Sequence, residues 1–215
     1  MRQIVLLAAF LASASTLSLA DDPSKELNAA AQVLQKMSSS NQIPSTLLSQ
    51  AKCIAVIPKM TKAGFLVGGK HGNGVVACRT ASGWSAPAFI SMTGGSIGLQ
   101  AGAEQQDLVL LLNAQGEQEL KNGHWDLGAE AAAAGPTGEA AGTASTGWKA
   151  PVLSYSNGSG VFAGMDVGGS KIGTDKDTIK SVYGEGASFQ SILGGQVQAP
   201  ASASEFTSAL QQAAK

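Results

Sequence analysis

The chain has 215 residues, of which 44% are hydrophobic, 13% charged and 27 glycine. That apolar fraction supplies a core, which excludes a disordered chain, and the length suits one domain of ordinary size. The formal net charge of −1 at pH 7 conceals a pronounced asymmetry along the sequence, developed below.

Residues 1–20 read as a removable leader. Arg2 supplies a positive start, Ile4 to Leu11 an apolar run, and Ser18-Leu19-Ala20 a small-x-Ala cleavage site. The apolar run is too short to span a bilayer comfortably, and no Cys follows the cleavage site to carry a lipid anchor. The expectation is a mature chain beginning near Asp21, exported to the periplasm or secreted, with an uncleaved N-terminal anchor as the alternative.

Asp22-Pro23-Ser24 predicts a helix start, and Leu27, Ala30, Ala31, Leu34 and Met37 follow at helical spacing. Pro44 opens a second, shorter helix to about Ala51. From Cys53 the period changes. Segments 53–57, 65–69, 75–79, 88–92, 97–103 and 107–113 read as strands, separated by Pro58, Gly83, Pro87, Gly94-Gly95 and Gln115-Gly116. Phe65-Leu66-Val67 and Val75-Val76-Ala77 flank Gly68, Gly69, Gly72 and Gly74, a pattern that predicts a β-hairpin with Lys70, His71 and Asn73 at its exposed tip.

Further strands are expected at 124–132, 152–156 and 161–172, and a small-residue loop at 133–147. Helices are expected at 175–182, 187–193 and 202–214, the last opened by a Ser202/Glu205 capping box. The expected fold class is α+β: a Gly-rich antiparallel sheet or barrel-like meander, with N-terminal and C-terminal helices packed on it. No domain boundary is visible within 21–215.

Cys53 and Cys78 are the two cysteines, both in predicted strands. Export to an oxidising compartment favours a disulfide between them; two buried free thiols are the alternative. A cysteine pair alone is a poor metal site, so no metal and no cofactor are expected.

Motifs for catalysis fail on context. Gly94-Gly95-Ser96-Ile97-Gly98 matches GxSxG, and Asp107 and His124 could complete a triad, but a nucleophile elbow needs a helix after the Ser. Leu99-Gln100-Ala101-Gly102 alternates like a strand instead. Gly158 to Ala163 fits a dinucleotide fingerprint, yet the glycines at 168 and 169 oppose the helix that should receive a pyrophosphate. His71 and His124 lack a surrounding ligand pattern, and nothing favours Glu130 and Glu139 as an acid/base pair. Trp84, Trp125 and Trp148 are too few for a nucleic-acid stacking track. The expectation is a non-enzyme that does not bind nucleic acid.

One feature stands above background. Residues 27–103 contain no acid and carry Lys36, Lys52, Lys59, Lys62, Lys70 and Arg79, a net of +6. Residues 104–215 hold twelve acids and six bases, a net of −6. Lys59, Lys62, Lys70 and Arg79 are therefore candidate contacts for an anionic lipid head group; the alternative is a solvated face, or pairing with the acidic half.

The strings AKCIAVIPKMTKAGFLVGGKHGNGVVACR, WSAPAFI, SIGLQAGAEQQDLVLLLN, AAGPTGE and YSNGSGVFAGMDVGGSKI stand in this order. Over roughly Ile43 to Pro200 they resemble the SYLF domain, also called the yeast actin-patch actin-binding domain. The resemblance implies a Gly-rich antiparallel β domain with flanking helices, and phosphoinositide or actin binding in eukaryotic members. The leader points to an exported, bacterial branch. Expected partners there are an anionic phospholipid or membrane surface, or an envelope protein; actin binding is not expected.

Overall fold

In the computed structural model the described residues are 22–127, 132–133, 150–157 and 167–215. The leader, the predicted loop at 134–147 and the Gly158 motif lie outside them.

Helix α1 (Pro23–Ser39) starts where the sequence predicts. Asp22 Oδ1 accepts from the Ser24 N–H at 3.0 Å, and proline occupies the first turn. Its apolar stripe, from Leu27 through Met37, is buried against the sheet and the last helix. Asn41, at φ 55, turns the chain into α2 (Ser45–Gln50), which buries Leu47 and Leu48.

The sheet departs from the expected string of short strands. β1 runs unbroken from Cys53 to Thr80, and β3 from Ala88 to Leu112. They pair antiparallel from Cys53↔Leu112 to Val76↔Ala88, with irregularities between Ile57 and Met60 and between Gly64 and Leu66. The predicted hairpin at Gly68–Gly74 is thus corrected: those residues lie inside β1, and Lys70 and His71 are strand positions opposite Gly94 and Thr93. The true reversal is the two-residue link Ala81-Ser82, closed by Arg79↔Trp84 and Thr80↔Gly83 of β2 (Gly83–Trp84). Gly83, at φ 124, supplies the backbone that a β-carbon would oppose. Gly94-Gly95 likewise continues β3 instead of ending a strand.

Glycine serves another purpose in β1. A straight strand would separate Cys53 from Cys78 by roughly 80 Å at about 3.3 Å per residue, yet their Cα atoms are 4.0 Å apart. The strand therefore curls until its ends meet, bending at bulges as strands do. At the meeting point a Cβ on Gly74 would lie 2.3 Å from the Val56 carbonyl oxygen, and one on Gly72 would lie 2.7 Å from Ile57 Cγ2. Only hydrogen fits there.

Asn113 ends β3 and caps α3 (Ala114–Lys121), its Oδ1 accepting from the Gln115 and Gly116 N–H groups at 3.0 Å. The expected break at Gln115-Gly116 is therefore a helix. β4 (His124–Leu127), β5 (Ala132–Ala133), β6 (Val152–Asn157) and β7 (Ser170–Thr174) complete a seven-stranded sheet curled into a half-barrel. One end of β3 pairs with β6, the other with β7, and β4 extends from β7. Among the described residues every pairing is antiparallel except β5 with β6.

Three helices close the chain: α4 (Lys176–Tyr183), α5 (Phe189–Leu193) and, after a short 3-10 turn, α6 (Ser204–Ala213). The expected capping box at Ser202 is corrected as well. α6 has Ala203 at its N-cap and no side-chain cap, because the 3-10 turn already delivers the chain in helical conformation. The capping box sits at α5 instead, where Ser188 and Ser191 exchange bonds. Phe206, Ala209 and Leu210 of α6 are buried with α1 and the first arm of β1 in one core. The architecture is α+β, as expected from the sequence.

Candidate functional site

The four basic residues singled out in the sequence do not share an environment. Lys59 is exposed at the first irregularity of β1, with φ 52, and its N–H donates to Asp107 Oδ1 at 3.1 Å. Lys62 is half-buried three residues on and registers opposite Glu104. These two stay close along the strand, beside the first acids that follow the acid-free stretch.

Lys70 is only 6% exposed, and its Nζ donates to the Gly168 carbonyl at 3.5 Å. Arg79 is committed to the closed end of the half-barrel. Its Nε donates to the Ala51 carbonyl at 2.9 Å and its Nη2 to that of Ser49 at 3.1 Å, satisfying the last turn of α2. The guanidinium also lies 4.6 Å from the Trp84 ring centroid. The fold brings together Lys59 and Lys62, sends Lys70 inward, and gives Arg79 structural partners.

Asp107, which the sequence offers only as a triad member, has a structural place here. Besides the Lys59 N–H it accepts from Asn157 Nδ2 at 3.5 Å, and so ties β1, β3 and β6 at one point. Its position as the second acid after a 77-residue acid-free stretch was the available signal.

Ser96 falls inside β3, opposite Gly68, and the strand continues for sixteen residues beyond it to Leu112. The strand-helix elbow that GxSxG requires is not formed at this position. His124 opens β4 opposite Gly173, whose β3 partner is Ser91. Trp125 is buried in the core.

Cys53 and Cys78 are joined, with Sγ atoms 2.01 Å apart and both residues fully buried. Neighbouring bonds fix the junction: the Arg79 N–H donates to the Lys52 carbonyl at 2.7 Å, and the Cys78 N–H to Ser85 Oγ at 3.1 Å. Glu117, from the first turn of α3, brings its carboxylate to the same place, and the three donor atoms lie within 4.8 Å of one another.

Two concavities open elsewhere on the described surface. One of about 760 Å³ lies between α1, α2 and α6, lined by Gln32, Gln35, Lys36, Ser45, Leu48 and Gln212. The other, of about 550 Å³, lies beside α4 and α5, with Ile179 and Phe189 at its apolar part and Thr174, Lys176, Lys180 and Gln190 around it. Both fall in the size range of ligand or peptide-side-chain pockets. No described helix is long and apolar enough to cross a membrane.

The fold is a curled, glycine-rich half-barrel flanked by helices, with concavities of mixed polar and apolar lining at its helical surface. A family model described as "Las17-binding protein actin regulator", named Ysc84, matches residues 93–213. The chain belongs to this family, the Ysc84 or SYLF domain family.

Among its relatives is protein YSC84 of Saccharomyces cerevisiae, 37% identical over 205 residues that cover 88% of this chain and 43% of the relative. LAS seventeen-binding protein 3 of the same yeast is 37% identical over 189 residues, covering 81% of this chain and 41% of the relative. Human SH3 domain-containing YSC84-like protein 1 is 34% identical over 169 residues, covering 76% and 49%. The chain thus spans somewhat under half the length of these relatives. No solved structure matches.

These names overturn one expectation. Actin binding is not expected from the leader and its implied compartment, whereas the family is described as an actin regulator and one yeast relative is named LAS seventeen-binding protein 3. The exclusion of actin is withdrawn. The family is one of binding and regulatory domains.

Proposed function

We propose that this chain is a non-catalytic protein-interaction module whose partner class is the actin-regulatory machinery. The observation that carries this reading is membership, across 93–213, of a family described by Las17 binding and actin regulation. The concavity beside α4 and α5 lies inside the matched segment and combines an apolar part with Lys176 and the Lys180–Glu185 ion pair, a mixed lining suited to a peptide from a partner. Absence of catalysis is part of the proposal. The test is co-sedimentation of the full chain with purified actin filaments, alongside binding to a purified Las17 protein. Saturable binding to either supports the reading, and binding to neither at tens of micromolar overturns it. Covalent labelling of Ser96 by a fluorophosphonate probe would end the non-catalytic part.

A second reading keeps an anionic phospholipid surface as ligand after export. It is favoured by the exposed Lys59 and its neighbour Lys62 at the first irregularity of β1. Two lysines near an anionic surface contribute about 2 kcal/mol, so the binding is weak and salt-sensitive. Co-sedimentation with anionic against neutral liposomes over a salt series tests it. The double variant Lys59→Glu/Lys62→Glu should lose the anionic preference; equal binding by parent and variant sinks this reading.

A further inference from the structure

The closed end of the half-barrel gathers more chemistry than a disulfide needs. Cys53 opens β1 and registers opposite Leu112, the last residue of β3. One residue later Asn113 caps α3, so the first helical turn folds back over that strand pair and delivers Glu117 to the sulfurs. Cys78 arrives from the far end of the same strand. Three separate chain segments thus place two sulfurs and one carboxylate within 4.8 Å of one another.

Glu117 is only 20% exposed at its side chain and is met by Lys121 Nζ at 2.7 Å, four residues along α3. A neutral disulfide offers a half-buried carboxylate no electrostatic partner, and an i,i+4 pair on a helix is worth only about 0.5 kcal/mol. The position of this carboxylate gains a purpose once the sulfurs are ionised around a cation.

We infer that reduced Cys53 and Cys78, together with Glu117, form a binding site for one thiophilic divalent cation of the zinc type. Two thiolates and a carboxylate are a donor set that such ions accept, with a fourth position left to water on the half-exposed Glu117 side. The balance closes. An external dithiol gives two electrons and two protons to the disulfide and becomes a cyclic disulfide itself. The cation then displaces the two thiol protons, and two thiolates plus one carboxylate around a divalent ion leave a net charge of −1. Lys121, already on Glu117, offsets that charge. An external disulfide takes the two electrons back, gaining two protons from solvent as it becomes a dithiol, re-forms the Cys53–Cys78 bond and releases the ion, so occupancy reports the redox state of the pair.

The experiment uses the full chain, oxidised and reduced, titrated with Co²⁺ as a spectroscopic stand-in for zinc. The reduced chain should take up one equivalent, with the near-ultraviolet thiolate-to-cobalt band and the visible bands of a tetrahedral site, and the oxidised chain none. Removal of even an outer-shell partner of a metal site costs about 10–100-fold in affinity, so Glu117→Gln should weaken binding at least about tenfold. Bound Zn²⁺ should also slow alkylation of both thiols in the parent chain, a readout that needs no variant. Reduced parent chain that binds no Co²⁺, or Glu117→Gln that binds it as tightly with the same spectrum, overturns the proposal. So does a reduced chain that unfolds and is not restored by the ion.

Discussion

The two arms of β1, residues 53–60 and 72–80, belong to one strand and meet at its closed end, yet they are built on different rules. The first arm carries bulk: Ile54, Val56, Ile57 and Met60 are all fully buried. The second arm yields space to it, with Gly72 and Gly74 set where the first arm's backbone and side chains press closest. Both arms supply apolar area, since Val75, Val76 and Cys78 of the second are fully buried too, but only the second also supplies proximity, at Gly72 and Gly74. Closing a strand on itself requires both, because two bulky arms would hold the backbones apart and two glycine arms would bury nothing.

The largest expected effect breaks that division of labour. Gly74→Ala forces a Cβ toward the Val56 carbonyl oxygen at 2.3 Å and Ile57 Cα at 2.9 Å, both backbone atoms that cannot swing away. It should destabilise the fold by about 3 kcal/mol, read as a fall in the urea midpoint. Gly69→Ala is the control from the middle of the same strand. Among the described residues its Cβ would meet only the Gly94 oxygen, at 3.9 Å, so the change should stay within about 0.5 kcal/mol. Equal losses at both sites would mean that the arms do not close as described.

A smaller effect concerns how the second arm is fastened. Arg79→Ala removes hydrogen bonds to the carbonyls of Ser49 and of Ala51, the C-cap of α2, and the stack on Trp84, and should cost about 1–2 kcal/mol given the partial exposure of the guanidinium. Arg79→Lys keeps the charge but not the planar fork, and should recover less than half of that loss. Full recovery by lysine would show that charge alone holds the arm.

The smallest effect at neutral pH lies in the first arm's layer. Val56, Val109 and Tyr155 register across three strands, and the buried Tyr155 hydroxyl has no hydrogen-bond partner. Burial pushes its pKa up from 10.0 to about 12. The unfolded chain releases this proton near pH 10 while the native chain still holds it, so the contribution is intact below pH 10 and is lost as pH rises toward about 12. Tyr155→Phe should be neutral to stabilising at pH 7 and should make the alkaline decline shallower. Tyr183, whose pKa burial also raises, continues to contribute to that decline in the variant. Its hydroxyl donates to the Pro87 carbonyl at 2.6 Å. An alkaline profile identical in parent and variant would place Tyr155 outside the buried layer.

Much of this molecule is written locally. Asp22-Pro23 starts α1, the spacing from Leu27 to Met37 sets its buried face, and the apolar runs from Cys53 to Leu112 declare a sheet. The ordered glycine-rich strings carry the family, and the two cysteines suffice to suggest their own pairing. These are short-range signals, because capping and periodicity depend on neighbours within a turn or two.

Only the tertiary structure decided what the glycines are for. Gly68 to Gly74 look like a turn because glycine permits one, but none of the positive-φ glycines among the described residues lies there. β3 holds the segment extended by pairing each residue in turn, and the returning arm needs the missing β-carbons. The charge map was redistributed in the same way. The basic stretch is continuous in sequence, yet strand register sets Lys62 against Glu104, the bulge brings the Lys59 backbone to Asp107, and curvature turns Lys70 inward. Contacts between residues some fifty or a hundred positions apart leave no periodicity in the chain. They exist only once register and curl are fixed, and both depend on the packing of the whole sheet.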